Sequence, residues 1–226
     1  MKGLILDLRD NTGGLLNEAI KVADAFIKDG SLGAAVNKER GNQQRKEFVA
    51  RNDGHEPGGA LVVLVNHRTA SASELVAAAI KNLGRGVVLG EPTAGAATIR
   101  VLFDIPKGPL RQSPARRAAS DRDIVQDVID GKAPPAPSPP PPAQPEGDRE
   151  LLGLVLATGR LLSSGGAEIE GVGVVADVQP ICPAGEPIRP DQDCPLLFAQ
   201  DLIARAKDPQ RSTLLSIAKE SAAARR

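Results

Sequence analysis

The segment Ala60–Val65, ALVVLV, constrains this chain more than any other. An unbroken apolar run leaves no polar face, so a strand here must be covered on both sides. Residues 3–8 (GLILDL) carry the same signal and end in charge. Buried strands of this kind need helices above and below, and two stretches have helical spacing. In residues 15–28, Leu15, Leu16, Ala19, Ile20, Ala23, Phe26 and Ile27 share a face, and Gly30 follows as a stop. Residues 72–83 form the second, with Gly84 as its C-terminal signal. Residues 86–89 and 98–103 read as further strands. The alternation predicts an α/β fold with parallel pairing. Residues 31–59 are polar and Gly-rich with few apolar anchors, and no element is assigned to them.

The prolines divide the chain. Of 19, eight fall in residues 133–145 (APPAPSPPPPAQP). Consecutive prolines fix φ and lack N–H donors, so this run is expected as polyproline II or disorder. Three parts follow: 1–106, a charged and Pro-rich insertion over 107–149, and 150–226. In the last, 151–158 and 172–178 read as strands and 196–206 as a helix; the final SAAARR is expected to fray. The insertion could bind an aromatic groove, but a spacer is the plainer expectation.

Composition excludes several functions. Lys+Arg and Asp+Glu both number 28, and there is no Trp or Tyr. A nucleic-acid partner is therefore not expected, for want of a basic excess and of aromatic stacking platforms. No apolar run is long enough to span a bilayer. Asp7 comes too early for a secretory h-region, so no signal peptide is visible.

Three segments could carry chemistry. In residues 6–14 (LDLRDNTGG) a buried strand leads through Asn11 and a Gly pair into a helix, which leaves N–H groups free for an anion or oxyanion. Such a turn is equally an ordinary strand-to-helix connection. In residues 65–74 (VNHRTASASE), Ser71 stands between a buried strand and a helix, where a nucleophile would be exposed with helix N–H groups behind it. It is also a good N-cap, with Glu74 completing a Ser-x-x-Glu box. Residues 90–100 (GEPTAGAATIR) read from physics alone as a loop.

Together and in this order the segments resemble the C-terminal processing, or tail-specific, peptidases. That family shows G-L-[VI]-[LI]-D-L-R-x-N-x-G-G-x-L, V-x-V-L-V-N-x-x-[ST]-A-S-A-S-E and G-R-x-V-V-x-G-E-x-T-x-G-K-G-x-x-Q. This chain has GLILDLRDNTGGLL, LVVLVNHRTASASE and GRGVVLGEPTAGAATIR. Residues 158–178 resemble a fourth family stretch, T-x-x-Y-Y-T-P-S-G-R-x-I-x-G-x-G-[IV]-x-P-D-V. The resemblance implies a crotonase/ClpP-like core with a mixed sheet and flanking helices, and proteolysis of polypeptides or their C-terminal tails. It needs no cofactor and no metal. The nucleophile position maps to Ser71, the oxyanion donors to the N–H groups of Gly14 and Ala72, and substrate contacts to Gly13 and Ala70.

Three departures qualify it. The family's general-base Lys falls on Ala96, and the Gln that orients it falls on Arg100. A serine hydroxyl is a poor nucleophile until a base takes its proton, so weak or lost activity is expected. His67, four residues before Ser71, reads as a partly exposed loop His or a substitute base. Lys81 is expected to face solvent, and Lys107 opens the insertion. A distant branch, resembling interphotoreceptor retinoid-binding protein and tricorn-like proteases, also lacks a Lys in this loop. Second, the family precedes the first strand with another core strand, a helix, a PDZ domain and usually an export signal. The core is thus expected to be incomplete at its N-terminus, with an exposed apolar sheet edge. An upstream PDZ-containing segment, a partner chain, a homo-oligomer and a truncated gene fragment all follow as readings. Third, the 107–149 insertion replaces a short turn.

The competing function is a non-catalytic polypeptide-binding or scaffold module. Cys182 and Cys194 would pair in an exported protein of the kind the family suggests, periplasmic included; two free thiols are the alternative. Two Cys cannot by themselves hold a tetrahedral metal.

Overall fold

The computed structural model describes residues 2–39, 42–51, 54, 57–106, 151–182 and 192–223. The Pro-rich run, the rest of the 107–149 insertion, and Lys107 lie outside the described residues. The elements run β1 (Gly3–Asp7), α1 (Leu16–Asp24), β2 (Ser31–Glu39), β3 (Asn42–Val49), β4 (Ala60–Val65), α2 (Ala72–Asn82), β5 (Val87–Gly90), β6 (Thr98–Pro106), β7 (Leu151–Leu162), α3 (Cys194–Arg205) and α4 (Arg211–Ala223). They divide between two compact units, one of residues 1–99 with 159–226 and one of 100–158.

In the first unit, β1, β4 and β5 form a parallel sheet in the order β1-β4-β5. Leu4 pairs with Leu61 and Val62 with Val87. β4 is central, and all six of its residues are buried. Side chains alternate across a strand, and the two faces meet different partners. Leu61, Val63 and Val65 join Leu75, Ile80 and Ile27 in one cluster. Ala60, Val62 and Leu64 join Phe198, Leu202 and Leu214 in another. The helices α1 and α2 thus cover one face, and α3 and α4 the other. This is the double cover that a wholly apolar strand requires.

The second sheet has the order β3-β2-β7-β6. β2 pairs antiparallel with β3 and, through Ala34↔Leu162 to Asn37↔Gly159, with β7. The expected mixed sheet is therefore two sheets, one parallel and one with antiparallel pairs. In the second unit, the Leu102 side chain of β6 lies over Gly153 of β7, where a Cβ would come within 2.9 Å of Leu102 Cδ1. β1 forms the outer strand of the parallel sheet, and a groove of about 380 Å³ lined by Gly3, Ile5, Ile203 and Ala204, with Lys2 and Gln200, runs beside it.

Several expectations need correction. The segment 31–49, left without an element, is the β2–β3 hairpin. Residues 172–178 form no strand. Gly171 and Gly173 have φ of 74° and 72°, the left-handed region that turns a chain rather than extending it. Only Val178 makes a bridge, to Leu89. α1 stops at Asp24, short of Lys28. α4 runs through Ala223, and its Ser221 is buried and accepts an Arg205 N–H at 2.7 Å, so residues 221–223 of the expected frayed tail are helix, while 224–226 lie outside the described residues.

Candidate active site at the ends of the parallel strands

Ligands of open α/β sheets bind at the carboxyl ends of the strands. The loops after β1, β4 and β5 contain, respectively, Gly13 and Gly14, Ser71, and residues 91–97.

The β4–α2 turn is held from β1. The Thr69 hydroxyl donates to the Leu8 carbonyl at 2.7 Å, and the Ala70 N–H to the Asn11 carbonyl at 3.0 Å. Asn66 Oδ1 accepts the Asp10 N–H at 3.0 Å. Between these ties Ser71 has φ 58° and ψ −123°. A non-glycine residue there is strained, and such strain persists only where the surroundings impose it. Gly13 is part of what imposes it. A Cβ at Gly13 would sit 2.8 Å from Ser71 Cβ and 3.0 Å from the Ala72 nitrogen. A Cβ at Gly14, by contrast, would meet nothing within 4 Å. Gly14 therefore faces open space beside the serine. Among the described residues, neither the Gly14 N–H nor the Ala72 N–H donates a hydrogen bond. Ala72 is the first residue of α2, so its amide belongs to the unpaired first turn.

Ser71 is the N-cap of α2, as one of its two readings has it. The box is uneven, however. The Glu74 carboxylate accepts the Ser71 N–H at 2.8 Å, whereas the serine hydroxyl, though opposite the Glu74 N–H, makes no cap hydrogen bond. The hydroxyl is thus not consumed by capping.

Glu74 does more than close the box. It is fully buried. Oε1 accepts the Thr93 hydroxyl at 2.5 Å and the Gly95 N–H at 2.8 Å. Oε2 accepts the Ser71 N–H and, at 3.0 Å, the Ala96 N–H. Four donors fill the four acceptor sites of an ionised carboxylate. The loop after β5 is thereby fastened to the start of α2. From its far side, Gly171 N–H donates to the Gly95 carbonyl at 2.7 Å, and Ala97 N–H to Glu170 Oε2 at 2.6 Å. Ala96 is exposed on this fastened loop. Arg100, also exposed, lies on β6 in the second unit.

The other candidate bases are engaged. His67 is exposed and sits 2.8 Å from Glu91, whose carboxyl it holds below the usual carboxylate range. Lys81, expected to face solvent, is half-buried and donates to the Val175 carbonyl at 2.7 Å.

A second anchor holds the β1 end. Arg9 donates to both oxygens of Asp193, at 2.8 and 2.7 Å, and also to Asp7. These hydrogen bonds, first those from Arg9, pull the Asp193 carboxyl below its ordinary value. Asp193 also caps α3, accepting the Leu196 N–H at 3.1 Å. The next residue, Cys194, is disulfide-bonded to Cys182, with Cα atoms 5.8 Å apart. Sequence reasoning missed this clamp. Arg9 and Asp193 are 184 residues apart, and the only signal was a charge following a buried strand.

The sequence pattern of peptidase family S41 matches residues 1–128, more than half of the chain and the part that contains β1, Ser71 and the Glu74-bound loop. The chain belongs to peptidase family S41. Among S41 relatives, a carboxyl-terminal-processing protease of Picosynechococcus sp. is 39% identical over 104 residues, covering 46% of this chain and 24% of the relative. A tail-specific protease of Haemophilus influenzae is 35% identical over 116 residues, covering 48% and 16%. The chain thus matches a quarter or less of these curated relatives' length. The solved photosystem II D1 C-terminal processing protease superposes with a TM-score of 0.56 at 24% identity, over 93% of this chain and 41% of that one. This likeness establishes the S41 peptidase fold.

Proposed function

We propose that this chain is a serine-type peptidase domain acting on polypeptides, with Ser71 in the nucleophile position and turnover weak or lost for want of a base. The observation that carries the reading is the strained Ser71 backbone, pressed by Gly13 and flanked by the undonated N–H groups of Gly14 and Ala72. In this reading a polypeptide carbonyl enters the open space beside Gly14. Ser71 Oγ bonds to the carbonyl carbon, and the C=O electron pair moves onto oxygen. The Gly14 and Ala72 N–H groups receive that oxyanion. Gly13 and Ala70 line the approach.

The missing step is the proton. The serine proton must leave as the C–O bond forms, and the departing amine must gain one. The methyl group at Ala96 can do neither, and the guanidinium of Arg100 offers donors but no acceptor for the serine proton. The backbone donors alone would leave a residual catalysis of about 10³–10⁴-fold over water, as in triad-depleted hydrolases. The exposed methyl group of Ala96 favours a second reading, that the cleft holds polypeptide tails without cutting them. A PDZ-bearing segment or partner chain, as the relatives' greater length invites, would belong to either.

The test is labelling by a fluorophosphonate, which reports serine activation directly. Labelling of the wild type is expected to be slow and to vanish in Ser71→Ala. Ser71-dependent labelling at the rate of an ordinary serine hydrolase would overturn the weak-activity reading, and equal labelling of Ser71→Ala would overturn the assignment of Ser71.

A further inference from the structure

Two helices of the first unit begin on residue types favoured at N-caps, Ser71 and Asp193, but α1 begins on Leu15. Leucine offers no oxygen to the unpaired N–H groups of a first helical turn, and it ranks among the poorest N-caps. Leu15 is also 77% exposed, the most exposed large apolar side chain among the described residues. The chain thus breaks a capping rule and a burial rule at one residue. Such joint violations are expected where a side chain serves something other than folding.

The position is specific. Leu15 follows Gly14, which faces open space, and lies two residues from Gly13, which packs on Ser71. The second most exposed large apolar residue is Val172, at 68%. It sits in the turn that backs the Glu74-bound loop: its nitrogen is 3.1 Å from where a Cβ on Gly95 would stand. Among the described residues, the two most exposed large apolar side chains therefore belong to the segment that follows Gly13, which packs on Ser71, and to the turn that backs the loop sharing Glu74 with Ser71.

We infer that Leu15 and Val172 are specificity-determining residues that receive apolar side chains of a bound polypeptide next to the carbonyl presented to Ser71. This rests on the reading of the Ser71 cleft given above. Covering these side chains with an extended peptide removes apolar surface from water. The same contact excludes water from the oxyanion position, where the amide donors gain strength.

The experiment uses the full chain and two short fluorescein-labelled peptides that differ at one central residue, leucine in one and asparagine in the other, followed by fluorescence polarisation. The wild type should bind the leucine peptide about 10-fold more tightly, the lower end of what one apolar contact discriminates. Leu15→Asn and Val172→Asn should each cut that preference to about 3-fold or less. Leu15→Asn should at the same time raise the thermal midpoint by about 3 °C, because asparagine supplies the missing cap. Weaker binding together with higher stability is the signature that general damage cannot produce. Leu15→Ala should lose the preference without the cap gain.

Gly14→Phe, or Ala96→Phe if the first does not fold, fills the cleft and should abolish binding of both peptides. Undiminished preference in Leu15→Asn and Val172→Asn, with binding abolished by the blocking variant, overturns the specificity assignment and leaves the cleft standing. Binding that survives the blocking variant overturns the cleft reading and the assignment with it. A wild type without preference between the peptides overturns the assignment alone if the blocking variant still abolishes binding.

Discussion

The turn at Ser71 and the loop that carries Ala96 are two banks fastened to one carboxylate, Glu74, and they differ in what their side chains supply. At Ser71 both backbone and side chain suit acyl chemistry: a strained φ, a hydroxyl free of capping, and an amide with no partner. At Ala96 the backbone is held as firmly, by a buried carboxylate that also holds Ser71, yet the side chain is an exposed methyl group. The contrast separates the frame of a site from its reactivity. A hydrogen-bonded backbone can hold its shape whatever side chain it carries, whereas proton transfer depends on one atom at one place.

The sharpest way to break this comparison is to make the banks equal. Ala96→Lys with Arg100→Gln should raise the Ser71-dependent fluorophosphonate labelling rate by about 10²–10⁴-fold, the usual worth of a positioned base. If the doubly substituted protein folds and labels no faster, the loop does not aim residue 96 at Ser71, and the two banks are unrelated.

A smaller effect tests whether they share a frame. Glu74→Gln keeps the volume but replaces one acceptor oxygen with an NH₂ group, leaving two buried donors facing a third. We expect a loss of about 3 kcal/mol in urea unfolding, with slower Ser71 labelling. A variant within about 0.5 kcal/mol of wild type would mean that the loop and the turn are held by other contacts.

The smallest effect concerns the β1 anchor. Asp193 has a depressed folded-state pKa because Arg9 hydrogen-bonds it. Its contribution is therefore present above the ordinary aspartate range and is lost as pH falls through the folded value. Arg9→Ala should cost about 2 kcal/mol near neutrality, and the two proteins should converge in acid. Curves that stay parallel down to pH 2 would sink this account.

Much of the frame was legible because it rests on local signals. The ALVVLV strand, the Gly84 stop after α2 and the Ser-x-x-Glu box all lie within one element and its flanks. The β2–β3 hairpin was not legible, because the adjacent residues Ala34 and Ala35 of β2 are both buried and both small, so no strong period-two pattern arises. Residues 172–178 misled in the opposite sense: their apolar residues imitate a strand, while Gly171 and Gly173 turn the backbone to bind the Gly95 loop. At the site, Glu74 could be read as a capping partner of Ser71. Its other three donors arrive from residues 93–96, and nothing in the spacing announces them.

The two faces of β4 also set a timetable. Leu61, Val63 and Val65 find their cover in neighbouring sequence, whereas Ala60, Val62 and Leu64 wait for Phe198, Leu202 and Leu214. Roughly 130 residues separate Leu64 from Phe198, which at 5–20 residues per second is on the order of ten seconds of synthesis. Throughout that interval a nascent chain carries a central strand clothed on one side only. Its bare side stays exposed to water until the C-terminal helices emerge and cover it.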